Sequence, residues 1–163
     1  MRRSCPGFTL VELLVVASIM IIVFVVGIAS YTQFNRGQIL NQAVLELKNS
    51  LRLAQNMASS GEKPSPNPCD SLEGYRVTFI AGANDSYQIQ AQCSNGLGTP
   101  KTFSLPSAVR FVLILLPLPP HPPPPILFKV TGKGSGVDGW GEISLTSFGV
   151  TKKVTVTLTG EIK

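Results

Sequence analysis

A single histidine, His121, stands in 163 residues. That scarcity removes most nucleophile–base schemes before any fold is considered. The chain also lacks a Gly-rich phosphate loop, paired acids at useful spacing in its C-terminal part, and any Cys–His or Ser–His–Asp pattern. An enzyme is therefore not expected, and no catalytic residue or cofactor is assigned. With no second histidine and no cysteine beside His121, no metal site is expected either. Proline is absent between Phe8 and Gly61, so nothing there breaks a helix by removing a donor. Cysteine is limited to Cys5, Cys69 and Cys93.

What is present is unevenly placed. The length suits one modest domain. Residues Leu13 to Ala29 are apolar apart from Ser18, and Arg2 and Arg3 precede them. The formal charge is +5. Without residues 1–7, Lys+Arg falls from 14 to 12 against 9 Asp+Glu, leaving +3. Part of the basic character thus belongs to a targeting segment, and the remaining cations are scattered as on an ordinary solvated surface.

As a secretory signal the N-terminus fits poorly. The apolar stretch is of membrane-spanning length, and no A-x-A-like site closes it. As a plain anchor it fits better, but a carboxylate at the edge of an apolar span, Glu12, is costly and calls for a partner. Basic flanks stay cytoplasmic, which puts the C-terminal bulk outside the membrane. That compartment permits disulfides. Cys69 and Cys93 are expected to pair, leaving Cys5 in the leader; two unrelated buried thiols are the alternative.

The residues Gly7-Phe8-Thr9-Leu10-Val11-Glu12 resemble the prepilin processing motif of type IV pilins and type II secretion pseudopilins. In that family a short basic leader ends in Gly, a prepilin peptidase cuts after it, the new N-terminal residue is N-methylated, and a Glu occupies the fifth mature position. The resemblance implies cleavage after Gly7, N-methylation of Phe8 and a role for Glu12 in assembly. The chemistry agrees. Gly7 offers an open carbonyl, and cutting exposes a cationic amine on Phe8. In a filament core, pairing Glu12 with the Phe8 amine of a neighbouring subunit offsets the penalty on a buried carboxylate.

The helical pattern continues past the apolar run. Leu40, Val44, Leu47, Leu51, Ala54 and Ala58 recur at spacings of three and four, one face of an α-helix. Asn41, Lys48, Arg52, Gln55 and Ser59 occupy the other face. A helix from Phe8 to about Ser60 would measure roughly 80 Å. Gly27 and Gly37 interrupt it, as points of local melting or of close packing. Ser59-Ser60-Gly61, followed by Pro64, Pro66 and Pro68, predicts a sharp stop.

From Leu72 the period becomes two. Tyr75, Val77 and Phe79, then Tyr87, Ile89 and Ala91, predict a hairpin about Gly82–Asp85. Further strands are expected at Lys101–Leu105, Val109–Leu116, Ile126–Val130, Glu142–Leu145 and Lys153–Leu158, with a Gly-rich loop from Gly132 to Gly141. Trp140 within it is expected to cap the core. Pro117–Pro125 favours polyproline II and reads as a stiff protruding loop. This part is similar, far less specifically, to the heads of H-type pseudopilins and FimT-like minor pilins, where two facing sheets follow the helix.

The expected class is α+β: a leader at 1–7, a membrane or filament-core helix at 8–30, its amphipathic continuation at 31–60, and a β-rich head at 61–163 with the Pro-rich loop at 117–125. The resemblance implies a prepilin peptidase, other pilin or pseudopilin subunits and assembly platform proteins as partners. It implies a single-pass membrane precursor with its leader inside and its head outside, later part of a periplasmic or extracellular filament. Three readings are open: a minor pilin or pseudopilin, a major pilin, or a filament-borne binding subunit, for example for DNA, for which Lys152, Lys153 and Lys163 supply charge. The absent helix proline disfavours the major pilin.

Overall fold

The computed structural model describes residues 9–64, 69–112, 123–130, 137–138 and 141–163. The class is α+β: among the described residues there are one long helix, α1 (Leu10–Ser60), and nine strands. The chain divides into two units, Met1–Arg36 and Gly37–Lys163.

In the first unit the described part of α1 has no buried residue. In the second, α1 buries the stripe read from the sequence. Leu40, Leu47, Leu51, Ala54 and Ala58 are at most 1% exposed, Val44 is 7%, and Ala43 joins them. Gly61 ends α1. It takes a φ of +65°, a conformation that glycine reaches without a Cβ clash. Its N–H donates to the Ala58 carbonyl, and the Glu62 N–H donates to that of Met57, both at 3.2 Å. These two bonds are the pattern that satisfies terminal carbonyls at a left-handed glycine.

The strands are β1 (Leu72–Ile80), β2 (Ser86–Cys93), β3 (Gly96–Leu97), β4 (Lys101–Ser104), β5 (Arg110–Phe111), β6 (Ile126–Lys129), β7 (Val137–Asp138), β8 (Gly141–Ser147) and β9 (Val150–Val156). One sheet runs β3-β2-β1-β6-β7, with β4 also on β2; the other runs β5-β8-β9. All the pairs are antiparallel. Period-two burial follows from the pleat, which sends alternate side chains to opposite faces. Tyr75, Val77, Phe79, Tyr87, Ile89, Ala91, Phe128, Ile143, Leu145, Val154 and Val156 share one core with α1. Phe79 and Phe111 meet edge to face at 5.5 Å, one ring from each sheet.

The predicted hairpin forms, with Ile80 opposite Ser86. Near its other end the register slips between Leu72 and Gly74. There a Cβ on Gly74 would collide with the Phe128 carbonyl of the neighbouring strand.

Three expectations need correction. Val109 is not in a strand: its N–H donates to the Pro106 carbonyl in a turn. Among the described residues of Val109–Leu116 the strand is Arg110–Phe111, paired with β8, and the Val112 N–H adds a bond to the Ser144 carbonyl at 2.8 Å. The run Gly132–Gly141 is not all loop, because Val137 and Asp138 pair with Phe128 and Leu127. The last strand begins at Val150, not Lys153, after a two-residue turn in which Phe148 and Gly149 take φ of 49° and 82°. The greater part of the Pro-rich loop, His121 and Trp140 lie outside the described residues.

Candidate processing and assembly site

Gly7 and Phe8 lie outside the described residues, which begin at Thr9. Glu12 sits in the first turn of α1. There a carboxylate is favoured by the partial positive charge of the unpaired N–H groups. Its Oε2 accepts from the Thr9 N–H and Oγ1–H, both at 3.4 Å, and its own N–H donates to Thr9 Oγ1 at 3.3 Å. The first helical bond runs from the Leu13 N–H to the Thr9 carbonyl at 3.2 Å. Thr9 and Glu12 thus cap the helix reciprocally, at long distances. The signal for this was present in the sequence as Thr9-Leu10-Val11-Glu12, the spacing of a capping box, and the reading of Glu12 as an assembly residue passed over it.

Beyond this turn the surface is apolar on every side. Leu10 is 81% exposed, Phe24 73%, and even Val16, the least exposed large apolar side chain here, 49%. Ser18 within the span satisfies its hydroxyl on the Leu14 carbonyl at 2.8 Å. Among the described residues α1 is the one helix long and apolar enough to cross a membrane, and Glu12 is the acid within its apolar part. A helix apolar all round has to be covered by lipid or by other helices. Tyr31 and Phe34 extend the exposed apolar surface beyond the span. α1 runs through Gly27 and Gly37 without a break, and open space surrounds each.

In the second unit Cys69 and Cys93 form a disulfide, with Cα atoms 5.6 Å apart and a sequence separation of 24. Both are buried. The bond fastens the segment before β1 to the end of β2. Ser50 on α1 shares a hydrogen bond with Tyr87 on β2 at 2.9 Å, and the Gln55 amide donates to the Gly160 carbonyl at 3.0 Å. Burial pushes the Tyr87 phenol above its ordinary range. The Glu46 charge adds to this, and the Ser50 bond opposes it. Among the described residues no group of three or more His, Cys, Asp or Glu is placed to hold a metal.

Two cations named for DNA binding are engaged with acids. Lys153 Nζ lies 2.6 Å from Glu142, and Lys163 Nζ lies 3.2 Å from Glu161.

No curated protein and no solved structure matches this chain. A family model does: residues 2–28 match the prokaryotic N-terminal methylation motif. That span takes in the leader charge, Gly7, Phe8, Glu12 and nearly all of the apolar run. The motif marks structural subunits rather than enzymes. It implies processing by a prepilin peptidase and assembly with other pilin subunits. With its N-terminal signal matched and its apolar helix fitting a single membrane anchor, the chain carries the prepilin-type methylation signal of type IV pilins and pseudopilins.

Proposed function

We propose that this chain is a minor pilin or pseudopilin, a structural subunit of a type IV pilus or a type II secretion pseudopilus. It is cut after Gly7, methylated on the Phe8 amine, and built into a filament through α1. The observation that carries the reading is the matched signal running directly into a helix whose apolar part is uncovered and holds one acid, Glu12. Before assembly the helix anchors the precursor in the cytoplasmic membrane, with the leader inside and the head outside. Assembly platform proteins then draw it into the filament. There Glu12 meets the Phe8 amine of a neighbouring subunit, because a carboxylate in a dry core needs a cation. A minor role is favoured over that of a major pilin by the absence of proline from the apolar span. The ion pairs of Lys153 and Lys163 speak against a DNA-capturing head.

The test is co-expression with a prepilin peptidase, followed by intact mass and N-terminal sequencing. A chain beginning at Phe8 and heavier by one methyl is expected. A chain still beginning at Met1, where a known prepilin is cut, overturns the reading.

A further inference from the structure

Strand β4 carries an open edge. It pairs with β2 and, among the described residues, with nothing else. The Leu105 N–H donates back to the Asp85 carbonyl at 2.9 Å, so Leu105 points its backbone groups towards β2. Alternation then turns those of Phe103 and Lys101 the same way, and those of Thr102 and Ser104 outward.

Along this edge, between β4 and α1, lie two cavities of about 320 and 340 Å³. The first is lined by the apolar side chains of Leu53, Met57, Pro64 and Ile89 and by Lys63 and Lys101. Glu62 also lines it, leaving one net positive charge. The second is lined by Asn49, Tyr87, Phe103 and Ser104, with Glu46 as its charged group. Lys101 and Phe103 share a face of β4 with Ile89 and Tyr87. The cavities therefore follow one another two residues apart on the strand, about 7 Å. That is the repeat with which an added strand presents side chains to one face.

We propose that the edge of β4 is a docking site for an extended segment of a partner protein, added as a further strand beside β4. Its backbone pairs with the outward groups of Thr102 and Ser104. Its side chains enter the two cavities in turn: a carboxylate between Lys63 and Lys101, and a cation two residues on, facing Glu46. The opposite charges of the two cavities set the orientation of the guest strand. A lysine on an edge strand also discourages indiscriminate pairing, so a guest that neutralises Lys101 is selected over one that does not. The proposal is independent of whether the chain assembles into a filament.

The test uses the full chain in detergent micelles and a capped six-residue peptide of alternating β-branched residues, with Glu and Lys two positions apart on one face. A control peptide has Glu and Lys exchanged. Hydrogen exchange of the segment 100–105 is followed by mass spectrometry. The first peptide is expected to slow exchange at Thr102 and Ser104 by about tenfold or more, and the control far less. Thr102→Pro removes an outward donor at a position where an edge strand tolerates proline, and should abolish the effect without lowering Tm appreciably. Lys101→Glu leaves both cavities with one net negative charge, so it should erase the preference between the two peptides, and it decides the matter should the proline variant not fold. Three outcomes overturn the proposal: no slowing by either peptide at about 1 mM, equal slowing by both, or protection that rises with protein concentration in the absence of peptide. The last assigns the edge to a second copy of this chain.

Discussion

Asp85 Oδ2 accepts the backbone N–H of Phe111 at 2.6 Å, across 26 residues of sequence. The carboxylate is 4% exposed. It lies in the β1–β2 turn, where Oδ1 also accepts the Gly82 N–H at 3.0 Å. Arg110 stands beside it, with Nη1 3.4 Å from Oδ1 and 2.8 Å from the Gly82 carbonyl. One side chain therefore ties the turn of the larger sheet to β5 of the smaller. Asp85→Ala should destabilise the head by about 2–4 kcal/mol, because buried donors lose their acceptor. Asp85→Asn should cost less, since one oxygen still accepts. Denaturant midpoints at unchanged slope measure both.

Gly74→Ala tests the close approach of β1 and β6. Its added methyl meets backbone, the Phe128 carbonyl, which cannot swing aside as a side chain would. A loss of about 1–3 kcal/mol is expected, read as a lowered Tm with the disulfide intact.

Removing the covalent tie should cost a comparable amount. Cys93→Ser, or reduction of the Cys69–Cys93 bond, is expected to lower stability by about 3 kcal/mol on a loop-entropy estimate. Thiol titration before and after unfolding of the mature chain should find no free thiol in the oxidised form. Reduction should shift the denaturation midpoint by the same amount as the substitution.

Alkali should weaken the head. The Tyr75 and Tyr87 phenols both have pKa values raised above the ordinary 10.0, by burial first; Glu62 adds to the shift at Tyr75 and Glu46 at Tyr87. The unfolded chain then loses these protons at lower pH than the folded one, so it binds fewer protons above about pH 10. Stability is complete below that pH and falls as pH rises through the folded values. Tyr87→Phe should flatten the fall, as seen by thermal melts between pH 8 and 11. It also leaves Ser50 Oγ without its partner at 2.9 Å, which lowers the plateau.

At the N-terminus two neighbouring residues should behave differently. Thr9→Ala removes one half of the helix cap, at about 0.5–1 kcal/mol to the first turn. On the proposed filament role that turn is covered by other helices, so incorporation should persist. Glu12→Ala, on the proposed pairing with a neighbour's Phe8 amine, should abolish incorporation while leaving cleavage after Gly7 intact. Filament fractionation and N-terminal sequencing of the two variants separate these roles.

The helix was legible because two simple signals run along it. Leu13–Ala29 is apolar apart from Ser18, and the spacing from Leu40 to Ala58 is helical. The end at Ser60 followed from Gly61. The hairpin of β1 and β2 was legible in its alternation, and both cysteines in the compartment argument. What escaped depends on contacts remote in sequence. Arg110–Phe111 pairs with β8, 34 to 36 residues on, and the apolar character of Val109–Leu116 suggests a longer strand than that pairing supports. Phe148–Gly149 lacks the usual Asn-Gly or Asp-Gly of a two-residue turn, so nothing in the sequence marks the start of β9 at Val150. Asp85 read as an ordinary turn acid, since only the tertiary fold brings it to Phe111. The cap of Thr9 and Glu12 was visible in the sequence and was eclipsed by the stronger motif around it.

The pairing of β1 with β6 has a consequence for the order in which the head forms. β1–β2 and β8–β9 are hairpins of neighbouring residues, and each can close early. Gly74 must instead find Lys129, and Val77 must find Ile126, across a loop whose closure is entropically slow. Until β6 arrives, β1 keeps one edge of hydrogen-bonding groups bare, next to the apolar side chains of Tyr75, Val77 and Phe79. That interval is when the nascent head is most prone to pair with the wrong strand.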